Sequence, residues 1–289
     1  MSRIFVVGSI NTDLVIGAPY MPASGETLTG GGFFTAHGGK GANQAVAAAR
    51  LGGDVVMCAC VGDDAFGENA IKSLQADGVD TRFVRVCKNT PTGTAVIVVI
   101  DGDNRIILDK GANAQLCKAD VDAALEEAQA GDILLAQLEN PVDVVGYALE
   151  QGKKKGMTVI LNPAPANVAA KEFVDCCDLV IPNETETEIL GGKAELLQKT
   201  GGKLIITLGG KGYEITENGV STTYPCIKVQ AVDTTAAGDT LCGGLCARLA
   251  SGDSLEKAAA FGSKAASIAC TRKGAQPSVP TKAEVEAWN

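Results

Sequence analysis

The segment DTTAAGD at positions 233–239 combines small residues with a carboxylate at the start of a predicted helix. The preceding residues predict a strand that ends at Asp233, and the helix is expected to begin near Ala236. The first backbone amides of a helix lack acceptors, and together with the helix dipole they suit a transferring phosphoryl group. We therefore expect an anion hole, meaning a set of inward-facing amides, built from Ala236, Ala237, Gly238 and Asp239.

Asp239 is the candidate general base of this segment. In the first helical turn, its carboxylate can take a proton from a hydroxyl that is held against the phosphate. The alternative is that Asp239 only caps the helix, which is the better interpretation of an isolated Asp at such a position. The small residues beside it favour the catalytic interpretation, because bulky side chains would block the approach of a phosphate.

Three common catalytic or nucleotide-binding patterns are absent from the sequence. His37 is the sole histidine, which excludes a triad of histidine metal ligands, and we assign it no catalytic role. The turn GSIN (8–11) does not match G-x-G-x-x-G, and the Gly-Lys pairs at 39–40 and 210–211 do not fit a Walker A loop. What remains for binding phosphate is the region around Asp239.

Composition and charge limit the possible partners. The chain has 289 residues, 46% of them apolar, and a net charge of −9 with a pI near 4.8. An acidic protein is a poor partner for nucleic acid or for an anionic membrane. The apolar run near the N-terminus lacks the features of a signal peptide, and no run reaches the roughly 18 residues of a membrane span. We therefore expect a cytoplasmic protein.

The ten cysteines do not follow the paired C-x-x-C spacing of zinc sites, and most of them fall in apolar runs. We expect reduced thiols that pack as small hydrophobic side chains. A metal or redox role is the alternative.

The elements that must position these residues alternate between short β-branched runs and Ala-rich helical stretches. Strands are predicted at 4–7, 55–61, 133–137, 158–161, 179–181 and 204–207, and helices at 41–51, 65–76, 142–155, 236–250 and 254–269, with a short tail helix ending at Trp288. Such alternation predicts one α/β domain over 1–289 with a mostly parallel sheet covered on both faces.

Two stretches depart from this alternation. Residues 14–36 and 92–109 have the pattern of antiparallel hairpins, and Asp101-Gly102-Asp103 is a turn signal in the second. We interpret them as a small β-structured lid over a site, or as a surface that pairs two subunits. An ordinary extension of the main sheet is the alternative.

The sequence resembles the ribokinase-like sugar kinases of the PfkB carbohydrate kinase family, and the resemblance runs almost from end to end. It is carried by GSINTD (8–13), GGKGANQAVAAARLG (38–52), VGDDAFG (61–67), TGTAVI (92–97), LNPAPA (161–166), PNETE (182–186), TLGGKG (207–212), VDTTAAGD (232–239) and TRKGAQPSVP (271–280). The resemblance implies a three-layer α/β/α sandwich with a small β-sheet lid, through which two subunits would form a homodimer.

The same resemblance assigns roles to further residues. Those expected to bind the sugar are Asn11, Asp13, Gly39, Lys40, Asn43, Glu139 and Asp239. Glu139 could equally be an acid at a helix N-terminus. Those expected to bind the nucleotide are Asn183, Thr207, Leu208, Gly209, Gly210, Lys211, Gly212, Gly238, Asp239 and Ser263.

The resemblance also implies two cations. Glu186 would act on Mg²⁺, mainly through water, although Asn183 and Glu186 also have the spacing of a capping box. A monovalent cation, physiologically K⁺, would be bound mostly by backbone carbonyls at Asp233, Thr235, Ala269, Arg272, Gly274 and Ser278. The stretch from Glu188 to Lys203 looks short for the family, which predicts a trimmed surface helix.

The implied reaction is the transfer of phosphate from ATP to the O5 hydroxyl of D-ribose, with Asp239 as the base. Two alternatives remain at this point. One is another PfkB-family kinase, acting on deoxyribose, on pseudouridine or another nucleoside, or on fructose. The other is a non-catalytic module that senses sugar or nucleotide, which the presence of Asp239 and its small neighbours disfavours.

Overall fold

The computed structural model describes residues 2–288; Met1 and Asn289, the two ends of the predicted domain, lie outside the described residues. Strands within this range are β1 (Arg3–Val7), β2 (Asn11–Gly17), β3 (Gly31–Gly38), β4 (Asp54–Gly62), β5 (Asp80–Cys87), β6 (Gly93–Ile100), β7 (Asp103–Asp109), β8 (Ile133–Ala136), β9 (Thr158–Leu161), β10 (Leu179–Val180), β11 (Leu204–Thr207), β12 (Tyr213–Glu217) and β13 (Val220–Tyr224).

The α-helices of the same range cover the strands. They are α1 (Lys40–Arg50), α2 (Ala65–Ala76), α3 (Lys118–Leu125), α4 (Val142–Lys154), α5 (Glu184–Ile189), α6 (Lys193–Lys199), α7 (Ala237–Ala250), α8 (Leu255–Ala269) and α9 (Lys282–Ala287). Short 3₁₀ turns occur at Gly111–Gln115, Val168–Glu172, Val174–Cys176, Gly209–Lys211 and Gln276–Ser278.

A nine-stranded sheet with the order β13-β12-β11-β10-β9-β8-β1-β4-β5 forms the middle layer. Its strands pair in parallel from β11 across to β5, whereas β12 and β13 add an antiparallel hairpin at one edge. Successive side chains of a strand point to opposite faces. In β1, accordingly, Ile4 and Val6 lie in the buried cluster on one face of the sheet, which is covered by α1, α2, α7, α8 and α9. Phe5 and Val7 lie in the cluster on the other face, which is covered by α3, α4 and α6. The predicted three-layer α/β/α sandwich is confirmed.

A separate four-stranded sheet, which we call the small sheet, has the order β3-β2-β6-β7. Strand β2 pairs antiparallel with β3 and parallel with β6, and β6 and β7 form the hairpin around Asp101 and Gly102. The two predicted hairpin stretches thus lie in a single sheet of their own, not in an extension of the main one. Its function as a lid stays a prediction.

Two glycines bring α1 into contact with the elements that carry the site. A Cβ on Gly41, in the first turn of α1, would come within 2.6 Å of the Gly8 backbone just after β1. On α7, a Cβ on Gly243 would lie 2.6 Å from both the Ala47 side chain and the Gln44 carbonyl of α1. Contacts this short exclude any side chain larger than hydrogen, so glycine is required for α1 to pack at these distances.

One local prediction differs from the structure. No strand ends at Asp233: β13 stops at Tyr224, and residues 225–233 are irregular, with the amides of Val232 and Asp233 bonded to the Cys270 carbonyl instead of to a neighbouring strand. Between Glu188 and Lys203 the chain forms the short helix α6, and the trimming of this helix relative to the family stays a prediction. Among the described residues, no helix has the length and apolar character needed to cross a membrane.

Candidate active site

Asp239 lies in the first turn of α7, and only 6% of it is exposed. The helix is preceded by Ala236 in the left-handed conformation, with φ of 60° and ψ of 14°. A residue with a Cβ is strained in this region, and such strain is concentrated at functional sites. The sharp turn at Ala236 directs the chain into α7 so that the first amides of the helix face away from its body.

The four amides of the predicted anion hole are not equivalent. The Ala237 amide donates to the Thr234 carbonyl at 3.2 Å. The amides of Ala236, Gly238 and Asp239 have no acceptor among residues 2–288. Three donors therefore remain for an anion at this helix start, one fewer than predicted.

Two side chains of α1 hold the Asp239 carboxylate. Asn43 Nδ2 donates to Oδ2 at 3.0 Å, and Gln44 Nε2 donates to Oδ1 at 2.9 Å. Gln44 is itself oriented by Gln137, whose Nε2 donates to Gln44 Oε1 at 2.7 Å. The sequence analysis did not identify Gln44. The available signal was its polar side chain within an Ala-rich helix, and in the structure this side chain is fully buried.

Glu139 lies against the start of α1. Its Oε2 accepts from the Lys40 amide at 3.0 Å and from the Ser9 hydroxyl, which in turn accepts from the Gly41 amide at 3.3 Å. Glu139 is thus an acid at a helix N-terminus, which was the alternative to a sugar-binding role in the sequence analysis. The helix is α1, and not α4, which follows Glu139 in sequence. Its second carboxylate oxygen accepts from no group among residues 2–288 and is open to a ligand.

Lys40 is the cation of this cluster. Burial alone would lower the pKa of its ammonium, but the carboxylates of Asp239, Glu139 and Glu186 outweigh burial and raise that pKa. Three acids from three separate elements thus lie close enough to Lys40 to act on its charge.

Asn11 and Asp13 lie at the beginning of β2 in the small sheet. They point to the same face of that sheet, because alternate residues of a strand share a face. Burial and the nearby Glu139 carboxylate raise the pKa of Asp13 from 3.8 to about 6. Gly39 precedes α1 with φ of 89°, and a Cβ there would lie 2.7 Å from the Asn11 amide nitrogen.

Asn183 and Glu186 form the capping box of α5. Asn183 Oδ1 accepts from the Glu186 amide, and Glu186 Oε2 accepts from the Asn183 amide, both at 2.8 Å. Glu186 is 8% exposed; burial raises the pKa of its carboxyl, although the Asn183 amide and Lys40 oppose that effect. The structural interpretation of this pair is therefore correct, and it leaves one Glu186 oxygen for another role.

A cavity of about 720 Å³ lies beside the start of α7. Of the predicted nucleotide-binding residues, it is lined by Thr207, Gly209, Gly210, Gly212, Gly238 and Ser263. Leu208 packs against the core, and the Lys211 ammonium is 3.9 Å from a Glu184 oxygen at the surface. Asn183 is bridged to Thr207 at the edge of this region.

One wall of this cavity was missed by sequence reasoning. The irregular segment after β13 contributes Cys226, Ile227, Lys228, Val229 and Ala231, and α8 contributes Ala266, Ser267 and Cys270. Ile227 lines the cavity and is 46% exposed, so this wall presents an open apolar surface. Such a wall suits an aromatic base.

Asp233 joins the two loops of the predicted monovalent-cation site. Its carboxylate accepts from the Thr235 amide and from the Gly274 amide, both at 2.9 Å. Burial alone would raise the pKa of Asp233, but the bonds from Thr235 and Gly274 lower it overall. Of the other residues predicted for this site, Ser278 is fully buried, and the Ala269 carbonyl accepts from the Arg272 amide. The Arg272 guanidinium forms an ion pair with the Glu284 carboxylate at 2.6 Å.

Within residues 2–288, no group of three or more His, Cys, Asp or Glu side chains could hold a metal ion. Glu186 is one hard oxygen donor near Lys40 and Asp239. Mg²⁺ is commonly held by one or two carboxylates, with water and substrate phosphates as its other ligands. The residues present fit an ion that arrives with a nucleotide. All ten cysteines have unpaired thiols.

Comparisons with known proteins identify the family of this chain. The pattern of the pfkB family carbohydrate kinases matches residues 1–282. The chain is 42% identical to the ribokinase of Haemophilus influenzae, over 96% of this chain and 95% of that protein. The crystal structure of the Thermotoga maritima ribokinase superposes with a TM-score of 0.90 at 36% identity, over 99% of both chains.

The ribokinase of Arabidopsis thaliana, in a structure complexed with ribose and ATP, superposes with a TM-score of 0.87. It is 31% identical to this chain, and the match covers 99% of this chain and 97% of that one.

Replacing Asp13 by asparagine should stabilise the protein without sugar, in a way that depends on pH. With a pKa of about 6 in the fold against 3.8 unfolded, Asp13 loses its proton at a cost to folding. That cost is complete above about pH 6 and absent below about pH 4. We expect Asp13→Asn to add about 1–2 kcal/mol to the free energy of unfolding at about pH 7, and nothing at about pH 4.

Urea denaturation at both pH values measures this difference. Asp103→Asn, at an exposed carboxylate of the same sheet, is the control and should show no pH-dependent gain. An equal gain at both pH values would contradict the raised pKa of Asp13.

Proposed function

The chain belongs to the pfkB family of carbohydrate kinases and is a phosphotransferase that acts on a sugar hydroxyl; we propose that it transfers the γ-phosphate of ATP to the O5 hydroxyl of D-ribose. One observation carries this proposal. Gly238 lines the 720 Å³ cavity, and the next residue, Asp239, holds a buried carboxylate in contact with Asn43 and Gln44. A nucleotide site and a base therefore meet at one helix start.

Asp239 acts as the general base in this proposal. Its carboxylate removes the proton of the attacking hydroxyl as the oxygen approaches the γ-phosphorus in line. The unpaired amides of Ala236, Gly238 and Asp239 stabilise the negative charge on the phosphoryl oxygens. Because Asn43 and Gln44 each bond one carboxylate oxygen, the base is held in place before the substrates arrive.

The sugar lies between the small sheet and α1. Asn11 and Asp13 contact its hydroxyls from β2, and Gly39, Lys40, Asn43 and Glu139 contact it from the opposite side. The buried Oδ1 atom of Asn43 has no donor among residues 2–288, which supports a ligand hydroxyl there. Ionised Asp13 can accept from two hydroxyl groups, so sugar binding compensates for the cost of its burial.

ATP binds in the cavity with its base against the wall of Ile227 and Val229, near Ser263. Thr207, Leu208, Gly209, Gly210, Lys211 and Gly212 follow the nucleotide along the loop after β11, Leu208 through its backbone alone. Lys211, now near Glu184, can swing to a phosphate because 79% of its side chain is exposed. When bound, Mg²⁺ neutralises phosphate charge, and Glu186, with Asn183 beside it, would hold the ion through water.

K⁺, when bound by the loops that precede the anion hole, would support this arrangement. The carbonyls around Asp233, Thr235, Ala269, Arg272, Gly274 and Ser278 are hard oxygen donors on two loops that Asp233 already ties together. A cation between these loops would fix the segment that leads into Ala236 and α7. The unpaired cysteines and the need for ATP are compatible with a cytoplasmic location, which cell fractionation would test.

Ribose should be the best of a panel of pentoses, hexoses and nucleosides in a coupled ATPase assay. Asp239→Ala should lower kcat by at least about 10³-fold, because no other group replaces the base. Calorimetric ribose binding should remain measurable in this variant. Asp175→Asn, at an exposed carboxylate outside the site, should leave both quantities unchanged.

Each rival has its own outcome in these assays. Near-normal turnover by Asp239→Ala would show that Asp239 is not the general base. A higher kcat/KM for deoxyribose, fructose or a nucleoside would replace ribose with that substrate. Ligand binding without turnover of any sugar would support the alternative that the protein is a non-catalytic sensor of sugar or nucleotide.

Replacing K⁺ by tetramethylammonium should lower kcat by about 5- to 10-fold, since the loop before the anion hole loses its support. Asp233→Asn should abolish most of this activation, because an asparagine oxygen can replace only one of the two acceptors that bind Thr235 and Gly274. Glu286→Gln, an exposed change on α9, is the control. Equal rates in both salts would exclude a functional K⁺ site.

The small sheet is also the proposed homodimer surface. Asp13, Ala95 and Leu108 lie side by side across it, as do Val15, Ile97 and Ile106, so these residues share one face. On that face Phe34 is 51% exposed, Ile106 59% and Leu108 39%. Apolar side chains this exposed favour burial against a second copy of the sheet, which would also cover the sugar.

Ile106→Glu should convert the dimer to a monomer in sedimentation velocity experiments, because it places a charge in the apolar contact. Ile107→Glu is a matched control, since Ile107 is adjacent, 68% exposed and on the opposite face. The proposal fails if the wild type is a monomer, or if Ile107→Glu dissociates the dimer and Ile106→Glu does not.

A further inference from the structure

Asn113 is a buried side chain with no role in the site as described so far. It lies in the 3₁₀ turn Gly111–Gln115, just after β7 leaves the small sheet, and is 1% exposed. Its backbone carbonyl accepts from Asn140 Nδ2 at 3.2 Å. A buried carboxamide must find partners for both ends of its side chain.

The Asn113 carboxamide finds these partners at the point where the chain enters the small sheet. Its Oδ1 accepts from the Ile10 amide at 2.9 Å, and its Nδ2 donates to the Ile10 carbonyl at 3.0 Å. The same Nδ2 donates to Asn11 Oδ1 at 2.7 Å. Rotating the carboxamide by half a turn would set oxygen against two oxygens, so its orientation is determined by these three bonds.

The orientation of Asn113 in turn determines that of Asn11. Because Asn11 Oδ1 is occupied, its Nδ2 is the end left for a ligand, and it donates to no group among residues 2–288. Asn11 therefore presents a donor, whereas Asp13, two residues later on the same face of β2, presents an acceptor. A hydroxyl group both donates and accepts, so this pair suits a sugar.

Gly93 makes room for this contact. It is paired with Asn11 across β2 and β6, and a Cβ at this position would overlap Asn113 Nδ2 and Asn11 Oδ1. The requirement is one of space, because Gly93 does not adopt a positive φ. A methyl group there would push the two carboxamides apart without removing any hydrogen-bonding atom.

We propose that Asn113 is a positioning residue for the sugar: it holds the Asn11 carboxamide with its nitrogen towards the ligand and so sets sugar affinity. This inference rests on the proposed function, in which Asn11 contacts the sugar. Without Asn113, Asn11 rotates freely, and its donor is presented only part of the time. The effect is on sugar binding, because neither residue touches Asp239 or the nucleotide cavity.

The test is a double-mutant cycle on ribose KM at saturating ATP. Asn113→Ala should raise ribose KM by about tenfold, with kcat and ATP KM changed by less than about threefold. Asn11→Ala should raise ribose KM, and the double variant should match Asn11→Ala alone, because Asn113 then has nothing to orient.

Gly93→Ala gives a second measurement that removes no polar group. It should raise ribose KM in the same way, and Gly31→Ala, at an open position in the same sheet, should not. Thermal melts of each variant identify any loss of folding, which would lower kcat and affect both substrates.

The outcomes separate the two levels of the argument. If Asn11→Ala leaves ribose KM unchanged, the proposed sugar site is wrong. If Asn11→Ala raises KM but the Asn113→Ala effect is absent or simply adds to it, the sugar site stands and the positioning role of Asn113 is overturned.

Discussion

The contact of α1 with the end of β1 on one side and with α7 on the other determines the geometry of the whole site. Gly41 and Gly243 permit this contact, since any Cβ there would meet backbone atoms of the neighbouring element. The contact brings Asn43 and Gln44 to Asp239, a residue almost two hundred positions away in sequence. It also aligns the α1 amides with Glu139. The site therefore depends on backbone proximity before it depends on any charged side chain.

The central strands could be predicted because their chemistry is uniform. Strands β9 and β11 lie at the predicted residues, since short β-branched runs buried on both faces have few other structures open to them. Strand β5, DTRFVRVC, was missed because an edge position lets charged residues interrupt its apolar ones. The hairpin of β12 and β13 carried a recognisable signal, Asn218-Gly219 with positive φ at both residues, that the sequence reasoning did not use.

The candidate site was predictable to the extent that its residues form local patterns. The helix start at Ala236 and the capping box of Asn183 and Glu186 are read from neighbours in sequence. The partners of Asp239 and Asn11 could not be predicted from such local patterns. Gln44 is 195 residues from Asp239 in sequence, and Asn113 is 102 residues from Asn11. The strand expected before Asp233 failed for the same reason: a β-branched run forms a strand only where a partner is within reach.

Glu139 combines a proposed role in sugar binding with a structural role at the start of α1. The carboxylate that we propose to border the sugar also stabilises the first turn of α1, through the Lys40 amide and the Ser9 hydroxyl. Natural variation or laboratory engineering at this position would disturb the helix along with any change in ligand preference. Strand β2 carries no such second duty at Asp13, whose side chain bonds to no other group among residues 2–288. New substrate preferences are therefore most accessible to evolution through the small sheet, while Glu139 constrains the scaffold to remain as it is.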